Sequence, residues 1–222
     1  MNDLYNLTTE QNIFLAKKQL VGSIYSSAKV EGINVTFPQT QTILDGITVA
    51  NLKIDDVEKI LNLRDAWKYV LNNIETELSL DFIKKINSFV ARNESLDWGV
   101  LRYGSVGISG TDYIPPIPEE KIVLIDLFNI LHSQNSVTEK ALNLFMYLCK
   151  QQLFWDGNKR TAMIVVNKYL IENGKGIFQI SEKNIEEFNT LLSEYYSTDE
   201  KDELKNFLYH NCIKGLTIEL KM

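Results

Sequence analysis

The amino-acid sequence predicts a mainly α-helical protein that carries one β-hairpin. Apolar residues recur at helical spacing along most of the 222 residues, whereas glycine and proline cluster in one segment, residues 99–118. Hydrophobic residues make up 45% of the chain and charged residues 23%, which is enough apolar material for a substantial core. Because no internal repeat or low-complexity linker interrupts the pattern, residues 1–222 are predicted to form a single domain.

Nine helices are predicted in chain order from the periodicity of their apolar residues. In the first of them Ile13, Leu20 and Ile24 fall on one helical face. Residues 162–166 are apolar all round, which predicts a helix buried at the centre of the fold. The nine predicted segments are residues 10–31, 39–46, 55–77, 79–93, 119–133, 137–152, 158–173, 181–195 and 199–213.

The segment 99–118 predicts the hairpin. Apolar and small residues alternate from Val106 to Thr111, as they do in a short exposed pair of strands. Three prolines, Pro115, Pro116 and Pro118, then prevent regular structure until the next helix begins.

Composition excludes several classes of protein. The formal net charge is −6 and the isoelectric point is about 5.1, so we expect no nucleic-acid partner. Only Cys149, Cys212, His132 and His210 could supply thiol or imidazole ligands, which argues against a disulfide framework and a zinc site. Neither a signal peptide nor a long apolar run is visible, so we expect no membrane segment and a cytoplasmic location.

The most informative stretch is Leu153-Phe154-Trp155-Asp156-Gly157-Asn158-Lys159-Arg160, which opens the apolar helix. A carboxylate, free backbone amides and two cations together suit the metal and phosphates of a nucleotide. On spacing alone the same residues are also typical of an ordinary turn and helix N-cap. The cations favour an anion site, because lysine and arginine at a helix N-terminus oppose the helix dipole.

This stretch resembles the signature of Fic (Fido-domain) proteins, His-x-Phe-x-Asp/Glu-Gly-Asn-Gly/Lys-Arg, and the resemblance extends over roughly residues 20–175. It implies a Fic-type helical bundle that binds ATP with Mg²⁺, where Asp156 holds the metal. It assigns nucleotide binding to Gly157, Asn158, Lys159 and Arg160. A second arginine that often follows in the family is Met163 here, so one phosphate contact is missing.

Gln152 stands where the family has its catalytic histidine. The resemblance makes that histidine the general base for AMP transfer to hydroxyl side chains of proteins. A glutamine amide cannot take up the proton, and general-base catalysis is worth roughly 10²–10⁴-fold. We therefore expect an adenylyltransferase-related protein with weak or altered catalysis.

Two further segments resemble parts of Fic proteins. Ser27, Glu31 and Gly32 match the Ser/Thr-x-x-x-Glu-Gly/Asn motif of an inhibitory helix, and Arg160 or Lys159 is the expected partner of Glu31. The hairpin resembles the family's flap, which docks an as yet unidentified target protein by strand addition. The flap residues are Val106, Gly107, Ile108, Ser109 and Gly110.

The resemblance divides the domain into an inhibitory-type N-terminal part, residues 1–36, a Fic core, residues 79–175, and C-terminal helices, residues 176–222. The flap spans residues 99–118 and the motif residues 152–163. Two alternatives stay open beside the adenylyltransferase. One is a pseudoenzyme that binds a nucleotide or protein without chemistry, and the other is a Doc-like phosphotransferase, because lysine at the Lys159 position also occurs in those relatives.

Overall fold

A computed structural model describes residues 1–95 and 97–216 of the chain. Within these residues the chain forms ten α-helices and one short antiparallel pair of strands, so the mainly α prediction is confirmed. The helices are α1 (Thr9–Lys18), α2 (Leu20–Val30), α3 (Phe37–Leu44), α4 (Ile54–Asn72), α5 (Leu80–Val90), α6 (Glu120–Leu131), α7 (Val137–Gln151), α8 (Asn158–Glu172), α9 (Ile185–Thr198) and α10 (Asp202–Asn211). A 3₁₀ turn, Glu182–Asn184, precedes α9.

The first predicted helix, residues 10–31, is two helices that meet at Gln19. Thr8 begins α1 with a capping box, in which its hydroxyl accepts from the Gln11 amide and the Gln11 side chain accepts from the Thr8 amide. At Gln19 the backbone has φ −96° and ψ 7°, which changes the direction of the chain. The apolar stripe continues across this single residue, and therefore periodicity alone does not reveal the break.

Helix α8 lies at the centre of the molecule, as its uninterrupted apolar run predicts. It packs against α1, α4, α5 and α7 and against the first strand, and nearly every one of its side chains is buried. The hydrophobic core is continuous around it and draws residues from Leu15 to Ile213. Because the N-terminus of α8 emerges from this core, the turn before it is held on a rigid support.

The antiparallel strands are β1 (Ile177–Phe178) and β2 (Ile213–Lys214), paired so that Ile177 faces Lys214 and Phe178 faces Ile213. The hairpin predicted at residues 99–118 does not form. This segment has a turn at Ile108–Thr111 but no paired strands, because the carbonyl groups at its base, those of Gly104, Pro115 and Pro116, are held by the Arg102 side chain rather than by a partner strand. Among the described residues, no helix combines the length and apolar character needed to span a membrane.

Candidate functional site

The turn between α7 and α8 places the motif at the surface of the core. Helix α7 ends at Gln151, and Gln152 follows in the left-handed region with φ 46° and ψ 60°. Phe154 is 2% exposed and anchors the turn in the core. Gly157 also has a positive φ, 71°, and a Cβ there would come within 2.9 Å of Val90 Cγ1. Glycine is therefore required at residue 157 by both its backbone conformation and the space around it.

Side-chain amides fix the shape of this turn. The Asn158 carboxamide accepts a hydrogen bond from the Phe154 amide at 2.9 Å and donates one to the Phe154 carbonyl at 2.8 Å. Asn87 of α5 donates to the Asp156 carbonyl at 3.0 Å. These contacts leave the first amides of α8 pointing along the helix axis, where the positive end of the helix dipole lies.

Asp156 lies at the edge of the turn with its side chain 44% exposed. Its Oδ1 accepts from the Gly157 amide at 2.5 Å and lies 3.0 Å from Arg160 Nη2. Within the described part of the chain Oδ2 has no hydrogen-bond donor, so this oxygen is free to bind a cation. No group of three or more His, Cys, Asp or Glu side chains among those residues could hold a metal ion by itself. A Mg²⁺ ion brought by phosphates and water fits a single carboxylate of this kind.

Arg160 is surrounded by carboxylates and is only 1% exposed. Its Nη1 and Nη2 bind the two oxygens of Glu94 at 2.6 and 2.8 Å, and Nη2 also binds Asp156. Burial works to lower the pKa of Arg160, but the hydrogen bond to Glu94 and the charges of Glu31, Glu94 and Asp156 outweigh it and raise the pKa. Arg160 therefore stays charged and is held beneath the turn.

Glu31 at the end of α2 reaches the same place from the other side. Its Oε2 lies 3.3 Å from Arg160 Nε and its Oε1 lies 3.5 Å from Lys159 Nζ, although neither pair has hydrogen-bond geometry. Gly32 has φ 75° and lets the chain leave the helix. Ser27, one turn earlier, donates to the sulfur of Met163 at 3.6 Å. The structure thus brings together the two segments that the sequence singled out separately.

A cleft of about 540 Å³ opens in front of the turn. Its walls are formed by α2, the flap, the turn between α7 and α8, and α9. The residues that line it are Val30, Glu31, Gly107, Ile108, Ser109, Gln152, Trp155, Asp156, Gly157, Asn158, Lys159, Asn189, Leu192, Ser193 and Tyr196. Every motif position expected to meet a nucleotide borders the cleft except Arg160.

Gln152 borders the cleft from just beyond the end of α7, although the predicted helix, residues 137–152, includes it. Its side-chain Nε2 donates to the Cys149 carbonyl at 2.6 Å, and its own carbonyl accepts from Arg102. Tyr196 of α9 also borders the cleft, and its buried hydroxyl has no hydrogen-bond partner among the described residues. Burial, with the nearby Cys149 and Glu31, raises the pKa of Tyr196, so the phenol remains protonated.

The flap is tied to both sides of the cleft. Buried Arg102 fixes its base by donating to five carbonyl oxygens, those of Gly104, Pro115, Pro116, Gln151 and Gln152. At the tip, Ser193 of α9 donates to the Gly110 carbonyl at 3.4 Å, and the rings of Tyr113 and Tyr196 stack with an interplanar angle of 5°. These contacts hold the flap in place without strand pairing.

Sequence reasoning missed Glu94 and the α9 wall of the cleft. Glu94 follows α5 in a turn that contains no recognisable motif, and it lies 66 residues before its arginine partner. Asn189, Ser193 and Tyr196 do fall on one helical face at spacings of three and four, which is the signal that could have found them. Only the packing of α9 against the flap shows that this face borders the cleft.

The fold and the cleft define a helical bundle built around a central helix whose N-terminal turn faces a ligand-sized opening. The sequence model of the Fic/DOC family matches a domain at residues 77–170 of this bundle. The domain is homologous to protein adenylyltransferases. The chain is 28% identical over 160 residues to the protein adenylyltransferase Fic of Drosophila persimilis, and this alignment covers 68% of the chain and 31% of that protein. The protein of the same name from Drosophila melanogaster is 28% identical over 161 residues, with 68% and 32% covered. The chain thus spans about a third of the length of these relatives.

Solved structures agree on the fold. A Fic domain containing signaling protein from Bacteroides thetaiotaomicron superposes with a TM-score of 0.73 at 19% identity, covering 92% of this chain and 85% of that one. Residues 134–508 of Fic-1 from C. elegans also give a TM-score of 0.73 at 19% identity, covering 89% of this chain and 60% of that one. The Fic-type bundle expected from the sequence is therefore confirmed.

Proposed function

We propose that the cleft binds a nucleotide together with Mg²⁺, ATP being the nucleotide that the homology implies. The observation that carries this proposal is the half-exposed Asp156 carboxylate beside the free amides at the start of α8, with Lys159 lining the same cleft. A helix N-terminus attracts phosphate, and a single carboxylate with phosphate oxygens is a common way to hold Mg²⁺. Bound there, Mg²⁺ would neutralise phosphate charge.

Different residues of the turn then contribute to binding in different ways. Gly157 and Asn158 shape the turn whose amides meet phosphate, and Lys159 supplies a cation in the cleft. The family resemblance assigns a phosphate contact to Arg160 as well, but in this chain Arg160 lies behind the turn in contact with Glu94.

We propose further that transfer of AMP to a protein hydroxyl is weak in this chain. Transfer requires a group that accepts the hydroxyl proton, and the cleft lining contains no imidazole among the described residues. Gln152 has an amide in place of that group, and the raised pKa of Tyr196 keeps its phenol protonated. A binding protein without chemistry is the second candidate, and the same missing base favours it.

We propose two further roles for residues around the cleft. Glu31 restrains the site, because its carboxylate adds negative charge where phosphates would lie. A target protein docks on the flap, whose residues 105–107 belong to no helix or strand and have no partner strand within the described chain. We place the protein in the cytoplasm, which agrees with two buried cysteines that form no disulfide.

Calorimetric titration with ATP, in the presence and absence of Mg²⁺, tests the proposal. The wild-type chain should bind ATP, and Mg²⁺ should strengthen the binding. Gly157→Ala should abolish binding, because its Cβ would press on Val90 and distort the turn. Gly46→Ala is the matched control, since Gly46 also has a positive φ, 82°, but a Cβ there meets nothing within 4 Å. An absence of binding to the wild-type chain would refute the proposed function.

Mass spectrometry of lysate proteins after incubation with the chain and ATP separates the kinds of chemistry. An AMP adduct supports the adenylyltransferase and a phosphate adduct supports the Doc-like phosphotransferase, for which Lys159 in the cleft is the favouring observation. Nucleotide binding with neither adduct supports the binding protein.

A further inference from the structure

The hydrogen bonds of Arg160 limit how many phosphates the site can recognise. This inference rests on the proposed nucleotide binding. Both terminal nitrogens of the guanidinium donate hydrogen bonds to the carboxylate oxygens of Glu94, at 2.6 and 2.8 Å. Nη1 also lies 3.4 Å from the Val90 carbonyl, and Nη2 binds Asp156. Only Nε has no hydrogen-bond partner among the described residues, and it faces Glu31. A phosphate could therefore reach the terminal nitrogens only by displacing Glu94.

Glu94 is itself fixed in place. Its side chain is 9% exposed and lies 3.7 Å from Lys59 Nζ of α4. Its neighbour Arg92 binds Asn62 at 2.7 Å and Asp65 at 3.0 Å, which ties the turn after α5 to α4. If Arg160 left, a buried carboxylate would keep only the more distant lysine as a partner, and an uncompensated buried charge is strongly unfavourable. The guanidinium of Arg160 therefore stabilises the folded protein and is not free to bind a ligand.

The charges that do line the cleft are few. Glu31 and Asp156 are negative, and Lys159 is the single cation among the described residues of the lining. One turn after Arg160, Met163 is 2% exposed and accepts a hydrogen bond from Ser27, so it supplies no charge. The helix N-terminus and one lysine can meet one or two phosphates, and a third phosphate would add negative charge with no further cation opposite it.

We propose that Glu94, by holding Arg160 beneath the turn, limits phosphate recognition to the first two phosphates of a nucleotide. Nucleoside diphosphates are then bound as tightly as the corresponding triphosphates. Glu94 is a positioning residue in this account, since it acts through Arg160 and borders no part of the cleft. The ligand class is a nucleoside mono- or diphosphate with Mg²⁺, and a triphosphate binds without gain from its terminal phosphate.

The first test needs no variant. The wild-type chain is titrated calorimetrically with AMP, ADP and ATP, each with Mg²⁺. The inference is supported if the dissociation constants for ADP and ATP agree within about threefold. One good charged contact to the third phosphate would make ATP binding about tenfold tighter. ATP binding at least tenfold tighter than ADP binding overturns it while leaving the proposed function intact. If none of the three nucleotides binds, the proposed function fails and the inference fails with it.

The second test releases Arg160. Glu94→Gln keeps the shape of the side chain but removes its charge, and it should raise the affinity for ATP relative to ADP by about tenfold. Glu58→Gln is the matched control, because Glu58 is an exposed carboxylate of α4 and forms no ion pair with Arg160 among the described residues. A folded Glu94→Gln protein, checked by thermal unfolding, whose ATP to ADP ratio equals that of the control would contradict the role of Glu94. Should that variant not fold, the wild-type ratio decides the matter.

Discussion

Arg160 and Glu94 form a bidentate ion pair, with nitrogen to oxygen distances of 2.6 and 2.8 Å, beneath the turn that opens the central helix. Parallel pairing of this kind fixes both the position and the plane of a guanidinium. The pair joins the turn after α5 to the first turn of α8, and Asp156 and Glu31 approach the same guanidinium from the cleft. The motif turn is thus held from below by an ion pair and from the side by the Asn158 amide.

Replacing Asp156 tests the metal site. Asp156→Asn keeps an oxygen that can accept from the Gly157 amide but removes the charge that would bind Mg²⁺. Calorimetry should show a loss of about 1–3 kcal/mol in Mg²⁺-dependent ATP binding, the scale of a lost interaction with a charged group. Binding without Mg²⁺ should change little. Asp112→Asn, on the exposed flap, is the control. Equal Mg²⁺ dependence in wild type and Asp156→Asn would exclude Asp156 from the metal role.

Replacing Glu31 tests the restraint on the site. Glu31→Gln removes a negative charge that lies 3.5 Å from Lys159 Nζ, which leaves this lysine free for phosphate. ATP affinity should rise by about 1 kcal/mol, or roughly fivefold, since the carboxylate is partly exposed to solvent. Glu10→Gln, an exposed carboxylate on α1, should leave the affinity unchanged. If the two variants bind ATP equally, Glu31 does not restrain the site.

Much of this arrangement follows from the sequence, and the remainder depends on packing. The buried α8, the turn before it and the approach of Glu31 to Arg160 could be anticipated, because each rests on local spacing or a motif. The inhibitory role of Glu31 stays a prediction. Glu94 could not be anticipated, because only the packing of α5 against α8 brings it to Arg160.

The strands illustrate the same limit. Alternation at residues 106–111 resembles a hairpin, yet the Arg102 side chain binds the carbonyl groups at the base of this segment. The strands that do pair, β1 and β2, have two residues each, which is too short for any periodicity to appear.

Restoring an imidazole tests the missing base. Gln152→His should raise transfer of label from α-labelled ATP to the chain or to lysate proteins, with a gain on the order of 10²-fold. The double variant with Glu31→Gly should gain more, because phosphates would then meet less negative charge. Gln151→His, one residue earlier at the end of α7, is the control for a histidine that does not border the cleft. If the histidine variants bind ATP but transfer no label, the binding protein is favoured over the enzyme.

The pH dependence of stability tests the contact beside the flap. Lys150 hydrogen-bonds Asp199 at 2.6 Å and thereby lowers the pKa of that carboxyl below its usual 3.8. The pair therefore stabilises the folded chain above pH 3.8, and this contribution is lost as the pH falls through the lowered pKa. Urea unfolding should give wild type an advantage over Asp199→Asn of less than about 1 kcal/mol at pH 6, since the carboxylate is mostly exposed. The advantage should vanish at low pH, and an advantage independent of pH would contradict this assignment.

The central claim is that the start of α8 and Asp156 together form a nucleotide site. A crystal structure of the chain with Mg²⁺ and a non-hydrolysable ATP analogue tests it most directly. The account predicts phosphates at the free amides of Asn158 and Lys159 in the first turn of α8, Mg²⁺ on Asp156, and Arg160 still bound to Glu94. A nucleotide bound elsewhere, or a cleft that stays empty at saturating analogue, would contradict it.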